Sequence, residues 1–246
     1  MKAVVLGATS GMGRAVARRL AERGEALFLL GLPLTELERS AGDLEQRGAA
    51  GQNVGVAELD LADPRGFESA LDKADRALGG IDTVIVTAGM FKTQDALEED
   101  RDFLYRMLHV NFTATVLFCE AARKRLLAAG GGTLCVFSSV AGDRGRKPVV
   151  LYGATKAGLS HYLESLDHKY RAEGLRTITI KPGFVKTPMT EGLKAPPFAG
   201  DADGVAKQVV RAIDRGQPLV YAPAIWRYVM LVIRFLPRFV MRKIGF

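Results

Sequence analysis

The chain has 246 residues, of which 48% are apolar and 25% are charged, with 27 Gly, 10 Pro and two Cys. This length and composition predict one α/β domain with a large core, and they exclude a disordered chain and a disulfide-stabilised scaffold. Cys119 and Cys135 lack a C-x-x-C spacing, which argues against a zinc or redox pair and favours a reduced, cytoplasmic compartment.

The net charge is +7, and it is concentrated near the C-terminal end. Residues 224–246 contain five cations and no acid, so the other 223 residues contribute only +2. A charge confined to one tail argues against a nucleic-acid-binding surface on the domain. No segment has the apolar core of a secretory signal or the roughly 20 apolar residues of a membrane-spanning helix.

Seven short apolar runs alternate with helix-length segments along the chain. The runs predicted as strands are residues 3–6, 26–30, 54–57, 83–86, 133–137, 177–180 and 219–221. The segments predicted as helices are residues 12–23, 34–47, 64–78, 97–129, 152–173 and 202–215. Parallel strands covered on both faces are apolar along their length, and strand–helix alternation favours right-handed crossovers. The pattern therefore predicts an α/β fold, a single-domain Rossmann-type doubly wound parallel sheet of about seven strands.

We expect residues 1–223 to form the domain and residues 224–246 to form a tail. Within the domain, the proline-containing stretch 187–201 follows a strand end, which predicts a lid over a ligand.

The tail is predicted to be amphipathic. If it is helical, four arginines fall within an arc of about 80° and aliphatic residues lie on the other side. The arginines are Arg227, Arg234, Arg238 and Arg242, and the aliphatic residues are Val229, Val232, Ile233, Leu236 and Val240. Pro237 predicts two short helices instead of one straight helix. Two interpretations stay open: contact with a membrane surface or a lipid-like substrate, or packing on a partner subunit.

A glycine-rich turn links the first predicted strand to the first helix. Gly7, Gly11 and Gly13 follow the apolar strand directly. Glycines at such a turn let the backbone approach a pyrophosphate, and the N–H groups at the helix start stabilise its charge. The strand before and the helix after the turn favour a dinucleotide site over a simple tight turn.

Three residues form a candidate acid–base site. Tyr152 and Lys156 are four residues apart and so lie on one face of a helix. A phenol with a pKa near ~10 is a weak acid at neutral pH, and a neighbouring ammonium would lower that pKa. Ser139 follows the fifth strand at the sheet edge where ligands bind, so its hydroxyl can bind a substrate oxygen. No G-x-S-x-G sequence surrounds it, which argues against a nucleophilic serine.

The order of these motifs resembles the short-chain dehydrogenase/reductase family. The matching positions are Gly7-x-x-x-Gly11-x-Gly13, Asp60, Thr87-Ala88-Gly89, Asn111, Ser139, Tyr152-x-x-x-Lys156 and residues 182–187. The resemblance implies an NAD(P)-dependent oxidoreductase that transfers hydride between nicotinamide and a carbonyl or secondary alcohol. It assigns Ser139 to the substrate oxygen and Tyr152 to proton transfer. Lys156 would lower the phenol pKa and hold the ribose, while Asn111 would perturb its helix and support a water chain to Lys156.

The same resemblance assigns a set of residues to cofactor binding. They are Gly7, Ser10, Gly11, Met12, Gly13, Asp60, Leu61, Ala88, Gly89, Tyr152, Lys156, Pro182, Gly183, Val185 and Thr187. Thr87 replaces the usual Asn of its motif and receives no assignment. The choice between NAD and NADP stays open, because Gly31-Leu32-Pro33 at the end of the second strand offers neither a carboxylate nor an arginine. The three His share no metal-ligand spacing, so no metal is expected.

The resemblance also implies a small-molecule substrate and a homodimer or homotetramer built on helices 97–129 and 152–173. The apolar residues expected beyond the sheet-facing side of these helices are Phe112, Val116, Leu117, Leu163 and Leu166. The alternative is that these residues simply pack on the sheet.

The C-terminal half additionally resembles the decaprenylphosphoryl-keto-ribose reductases, on residues 219–224, 226–230 and 236–238 and on Gly31-Leu32-Pro33. This second resemblance implies a lipid-linked sugar ketone as the substrate class. Two other functions stay open. A non-catalytic dinucleotide sensor would share the fold but would not need the Ser–Tyr–Lys–Asn set. An epimerase or dehydratase would use the same Tyr–Lys pair, but no sizeable substrate domain fits after Thr187.

Overall fold

Strands and helices alternate along the chain as the apolar pattern predicts. The computed structural model describes residues 1–48 and 53–244. The strands are β1 (Lys2–Leu6), β2 (Ala26–Gly31), β3 (Gly55–Glu58), β4 (Thr83–Val86), β5 (Gly132–Phe137), β6 (Leu175–Pro182), β7 (Val185–Lys186), β8 (Gly200–Asp201) and β9 (Leu219–Ala222). The helices are α1 (Gly11–Glu22), α2 (Leu34–Arg47), α3 (Phe67–Leu78), α4 (Gln94–Glu98), α5 (Arg101–Leu108), α6 (Thr115–Ala128), α7 (Val150–Tyr170), α8 (Ala202–Arg215), α9 (Trp226–Phe235) and α10 (Arg238–Lys243).

Seven strands form one sheet in the order β3-β2-β1-β4-β5-β6-β9. Every neighbouring pair in this sheet is parallel. The strand order reverses between β1 and β4, and such a switch point opens a crevice at the carboxyl ends of the strands. The prediction of a doubly wound parallel sheet of about seven strands is confirmed.

The core consists of two apolar layers, one on each face of the sheet. Along β1, Ala3 and Val5 face the layer that includes α1, α2 and α8, whereas Val4 and Leu6 face the layer that includes α3, α6 and α7. Successive strand residues point to opposite faces, and all four of these side chains are fully buried. Burial on both faces is the reason that the strands read as continuous apolar runs.

The prediction of one helix over residues 97–129 is wrong. Helix α4 ends just before Asp100, whose side chain accepts a hydrogen bond from the Phe103 amide at 3.0 Å and so caps α5. A π-helical turn at His109–Ala114 then separates α5 from α6. The apolar pattern runs through both interruptions, which is why it suggests a single helix.

Other predicted elements differ at their ends. Asp63 accepts from the Arg65 amide at 3.1 Å and caps a 3-10 turn, Pro64–Gly66, that leads into α3. Helix α7 begins two residues earlier than predicted. The sequence did not predict the second, two-stranded sheet of β7 and β8, which brackets residues 187–199.

The apolar residues expected on an outer surface divide into two groups. Phe112 and Leu117 are exposed. Leu163 and Leu166 are core residues, and Val116 packs against the core. The expectation is wrong for these three, because their spacing places them on the helix faces that pack toward the sheet.

The C-terminal segment forms two short helices, as Pro237 predicts. Helix α9 ends two residues before this proline, and α10 begins directly after it. Trp226, Met230 and Ile233 are buried and pack with Val140 in a third, smaller cluster. The tail therefore packs on the domain through α9, and Ile233 belongs to this contact instead of an exposed aliphatic stripe. Residues 245 and 246 of the predicted tail lie outside the described residues. Within the described ranges, no helix combines the length and hydropathy needed to cross a bilayer.

Candidate active site

The glycine-rich turn lies at the carboxyl end of β1, beside the switch point of the sheet. Gly7 and Gly11 have φ angles of +93° and +52°, in the left-handed region that favours glycine. A Cβ on Gly13 would overlap with the carbonyl oxygen of Gly7 and with Oγ1 of Thr87. The Thr87 hydroxyl lies 2.9 and 3.0 Å from the carbonyl oxygens of Leu6 and Gly7, to which it donates. The turn thus requires glycine, and Thr87 fastens it to the end of β4.

The start of α1 and the turn together form a cradle for an anion. Ser10 is the N-cap of α1, and its side chain makes no capping hydrogen bond, so the N–H groups of the first turn remain available. The adjoining cleft has a volume of about 470 Å³. Ten of the predicted cofactor-binding residues line it: Gly7, Ser10, Gly11, Met12, Gly13, Asp60, Leu61, Ala88, Gly89 and Thr187. A cradle without side chains at a helix N-terminus fits the pyrophosphate of a dinucleotide.

The other five predicted cofactor residues lie outside the lining of this cleft. Pro182 and Val185 are buried. A Cβ on Gly183 would overlap with the indole ring of Trp226, so this glycine makes room for α9. Tyr152 and Lys156 belong to the cluster of catalytic candidates. The cleft also contains residues that the sequence did not predict, among them Leu32 directly after β2, Arg106 on α5 and Val110 in the π-helical turn.

Ser139, Tyr152 and Lys156 come together at the carboxyl end of β5. Ser139 Oγ accepts a hydrogen bond from the Ala141 amide at 3.1 Å, and the Ser139 side chain is hydrogen-bonded to the Tyr152 hydroxyl. Helix α7 presents Tyr152 and Lys156 one turn apart, with Lys156 Nζ 5.9 Å from the centre of the phenol ring. Lys156 Nζ donates to the carbonyl oxygen of Phe137 at 3.0 Å. The hydroxyl and the acid–base pair predicted from the sequence therefore share one site.

The neighbouring serine has a different environment. Ser138 Oγ donates to the carbonyl oxygen of Lys156 at 2.9 Å and is 2.7 Å from Ser160 Oγ, to which it is hydrogen-bonded. Ser138 thus joins β5 to α7, whereas Ser139 lies beside the phenol.

Asn111 is fully buried in the π-helical turn His109–Ala114. Its Oδ1 accepts from the Met90 amide at 2.7 Å, and its Nδ2 donates to the Met90 carbonyl oxygen at 2.8 Å. A Cβ on Gly89 would lie 3.3 Å from Asn111 Oδ1 and 3.7 Å from Lys156 Nζ, so these two polar atoms converge beside Gly89. The helix is therefore interrupted at Asn111, and the interruption places the amide next to the catalytic candidates.

Burial opposes the expected activation of the phenol. It raises the pKa of Tyr152 from 10.0 to about 12, while the Ser139 hydrogen bond and the charge of Arg146 act in the other direction. Burial also lowers the pKa of Lys156 from 10.5 to about 8. The expectation that Lys156 lowers the phenol pKa is not met in this structure, because Nζ is bound to the carbonyl of Phe137 and the cation acting on the phenol is Arg146.

The lowered pKa of Lys156 predicts a pH-dependent cost in stability. The unfolded chain binds the proton of this lysine more tightly than the folded chain, so the cost is complete below about pH 8 and is lost as the pH rises toward 10.5. Lys156→Met removes the ammonium. The free energy of unfolding of the variant, relative to wild type, should therefore fall by about 2 kcal/mol between about pH 7 and pH 9.5.

Urea denaturation of both proteins at the two pH values measures this difference. Lys169→Met, at an exposed position near the end of the same helix, is the control and should show no such change. An equal difference between Lys156→Met and wild type at both pH values would contradict the prediction.

A second polar cluster supports the loop between β5 and α7. Asp143 has a side chain only 2% exposed, and it accepts from Lys181 Nζ at 2.5 Å and from the Tyr221 hydroxyl at 2.7 Å. Next to it, Arg144 donates to the carbonyl oxygen of Leu236 at 2.8 Å. These contacts join β6, β9 and the segment after α9 to the active-site loop. No sequence spacing links the members of this cluster, so sequence analysis did not find it.

Metal and thiol chemistry have no visible site in the described parts of the chain. There, no group of three His, Cys, Asp or Glu side chains is arranged to hold a metal ion. Cys119 and Cys135 are free and fully buried, and burial raises the pKa of both thiols. Such thiols are poor nucleophiles near neutral pH.

Comparisons with known proteins extend these observations. A model of the short chain dehydrogenase family matches residues 1–197. The chain is 32% identical over 240 residues to an uncharacterized oxidoreductase of Mycobacterium tuberculosis, with 98% of this chain and 95% of the relative covered. It is 35% identical over 252 residues to an uncharacterized oxidoreductase of Streptomyces coelicolor, with 98% and 94% covered.

A solved structure has the same fold. It is a short-chain type dehydrogenase/reductase from Mycobacterium ulcerans, with a TM-score of 0.82, 22% identity, and coverage of 89% of this chain and 86% of that chain. The family match spans the glycine-rich turn, the Ser–Tyr–Lys site and Asn111. The chain thus belongs to the short-chain dehydrogenase family and is an NAD(P)-dependent oxidoreductase.

Proposed function

We propose that this enzyme interconverts a ketone and a secondary alcohol, with Ser139, Tyr152, Lys156 and Asn111 as its catalytic set. The observation that carries the proposal is the convergence of the first three side chains at the end of β5, beside the glycine-rich cleft. Hydride would come from, or return to, the nicotinamide of the bound cofactor.

Each residue of the set has a distinct task. The Ser139 oxygen accepts from a backbone amide, and its hydroxyl would turn from Tyr152 to donate to the carbonyl oxygen of the substrate. Tyr152 delivers a proton to that oxygen in reduction and removes it in oxidation. The Lys156 ammonium has a pKa of about 8, so near neutral pH it can return a proton to Tyr152 after the phenol has given one to the substrate. The amide oxygen of Asn111 lies beside Lys156 Nζ, where it would support a water chain that carries protons to Lys156.

We propose that the substrate is apolar around its reacting carbon, as a lipid-linked ketone would be. The ring of Phe91 packs edge-on against the Tyr152 ring at 4.9 Å between centroids. Met189, Leu193 and Phe198 are exposed apolar side chains on residues 187–199, and Met189 lines the cleft. In this proposal the segment closes over the substrate as a lid, and these side chains become covered. The resemblance of the C-terminal half to reductases of a lipid-linked sugar ketone agrees with this class.

We also propose a homodimer or homotetramer that forms through α5, the π-helical turn and α6. Tyr105, Phe112 and Leu117 are exposed apolar residues on this surface. A groove lined by Phe112 and Gly158, among others, lies between this surface and α7. Light scattering at micromolar concentration should give a mass above that of one chain, and a monomeric mass would exclude the assembly.

Cofactor titration followed by an activity screen tests the catalytic proposal. We expect NADH or NADPH to bind, measured by fluorescence, and apolar ketones or secondary alcohols to change its redox state in the assay. Cofactor binding without turnover in either direction would favour the dinucleotide sensor. Conversion of a nucleotide sugar with no net change in cofactor redox state would favour the epimerase.

A further inference from the structure

Helix α9 has two apolar faces, of which the protein itself covers one. At 100° per residue, Trp226, Met230 and Ile233 lie within one narrow arc, and all three are buried. The opposite arc contains Tyr228, Leu231, Val232 and Phe235, which are 55–80% exposed. Phe239 on α10 is 65% exposed. We define these five exposed residues as the C-terminal patch. Contiguous exposed side chains of this size mark an interaction surface.

Cations lie beside the C-terminal patch. Arg227 and Arg234 lie along one border of the exposed face of α9, and Arg238, Arg242 and Lys243 follow on α10. All five are exposed, and residues 224–246 contain no acid. The occupant of the patch must therefore combine an apolar interior with negative charge at its surface. An anionic lipid bilayer has this combination, and aromatic and arginine side chains are suited to its interface.

A second copy of the chain fits this surface poorly. Most homo-oligomers are two-fold symmetric, so the same patch would face itself across the interface. Arg227 and Arg234 would then lie close to their own counterparts, without an acid nearby in the tail to compensate. Like charges brought together at an interface oppose association.

The patch is fixed to the active site. The Trp226 ring packs over Gly183, and its Nε1 donates to the carbonyl oxygen of Phe198 at 3.1 Å. Arg144, on the loop after β5, donates to the carbonyl oxygen of Leu236. Helix α9 therefore holds a set position relative to the cleft, and the backbone of Phe198 lies at its first turn.

We propose that α9 and α10 dock the protein on an anionic bilayer surface through the C-terminal patch and the cations beside it. This docking goes beyond the proposed reaction and does not depend on it. The two helices lie parallel to the surface, with the aromatic rings among the lipid headgroups and acyl chains and the guanidinium groups on the phosphates.

Sedimentation of the full-length protein with vesicles tests the proposal. We expect strong binding to vesicles of phosphatidylcholine with phosphatidylglycerol at low salt, and at least tenfold weaker binding to phosphatidylcholine alone. High salt should abolish the difference, because it screens the charges. Trp226 is the single tryptophan, and it lies at the base of α9. Its ring is buried on the covered face of α9, away from the lipid, so its emission should change little when the protein binds vesicles.

Paired substitutions separate the two contributions. Arg227→Ser with Arg234→Ser should lower the partition coefficient on anionic vesicles by about fivefold per arginine. Phe235→Ser with Phe239→Ser should lower it on both kinds of vesicle. The control is Lys73→Ser with Arg76→Ser, which removes equal charge from exposed positions on α3. That helix packs beside β2 and β3, at the opposite edge of the sheet from β9, so binding should stay as in wild type.

Three results would overturn the proposal. The first is wild-type protein that ignores anionic vesicles at low salt. The second is an equal loss of binding in the α3 control. The third concerns the molecular mass measured by light scattering without vesicles. A lower mass for the variant Phe235→Ser with Phe239→Ser than for wild type would show that a second copy of the chain occupies the patch. NADH or NADPH binding by each variant reports on its fold, and failure of the ketone reaction would leave these readouts unaffected.

Discussion

Replacing Tyr152 by Phe is expected to lower kcat by roughly 10²–10⁴-fold, the usual contribution of a positioned general acid or base. The variant keeps the ring and its edge-on contact with Phe91, so the packing around the site is retained. It loses only the hydroxyl that is hydrogen-bonded to Ser139. Affinity for NADH or NADPH should stay near the wild-type value, because the glycine-rich cleft does not include this side chain.

The same substitution at Tyr162 is the matched control. Tyr162 lies on the same helix, and its hydroxyl donates to Glu120 at 2.7 Å, away from the cleft. Tyr162→Phe should therefore keep kcat close to wild type. Steady-state rates with an active ketone measure both variants. Full activity of Tyr152→Phe, or an equal loss in Tyr162→Phe, would refute the assignment of Tyr152 as the proton donor.

Replacing Gly13 by Ala is expected to weaken cofactor binding by at least tenfold and to destabilise the fold by about 1–3 kcal/mol. The added methyl group overlaps with the carbonyl oxygen of Gly7 and with Oγ1 of Thr87. Neither atom is the free end of a flexible side chain, because Thr87 is hydrogen-bonded to the backbone of Leu6 and Gly7. The turn must move to make room, and it then no longer matches the pyrophosphate.

Gly42→Ala tests whether this effect is local. Gly42 lies inside α2, where a Cβ would have open space around it. The substitution should stabilise the protein by about 0.5–1 kcal/mol, as expected for Ala in place of Gly within a helix. Fluorescence titration with NADH and NADPH and urea denaturation measure both variants. Unchanged cofactor affinity in Gly13→Ala would contradict the proposed cradle.

The sheet could be predicted from the sequence because each strand satisfies a local rule. Strand β1 is buried on both faces, so Ala3, Val4, Val5 and Leu6 are all apolar, and no polar residue interrupts the run. The glycine turn and the Tyr152–Lys156 spacing are also local patterns. Local patterns fix which residues lie near each other along one element, and that was enough to predict the glycine turn and the one-turn separation of Tyr152 and Lys156.

Features that depend on distant contacts could not be predicted from local patterns. The interruption at Asn111 was implied only by the family resemblance, because it exists together with hydrogen bonds to Met90, which lies on another segment. The high pKa of the Tyr152 phenol follows from burial, which no residue spacing reveals. The Asp143 cluster joins residues 38 and 78 positions apart, so its acid, base and hydroxyl look unrelated along the chain.

The contacts of α9 have a consequence for the order in which parts of the protein fold during synthesis. Trp226 covers Gly183, and Arg144 binds the carbonyl of Leu236, so two active-site loops have neighbours that are synthesised after them. On the ribosome, the sheet strands through β6 can pair before these residues emerge. A nascent chain that stops before Trp226 would carry the whole set of family motifs and still lack the support of both loops. Docking of α9 and α10 is therefore the event that completes the support of the active-site loops after the sheet has formed.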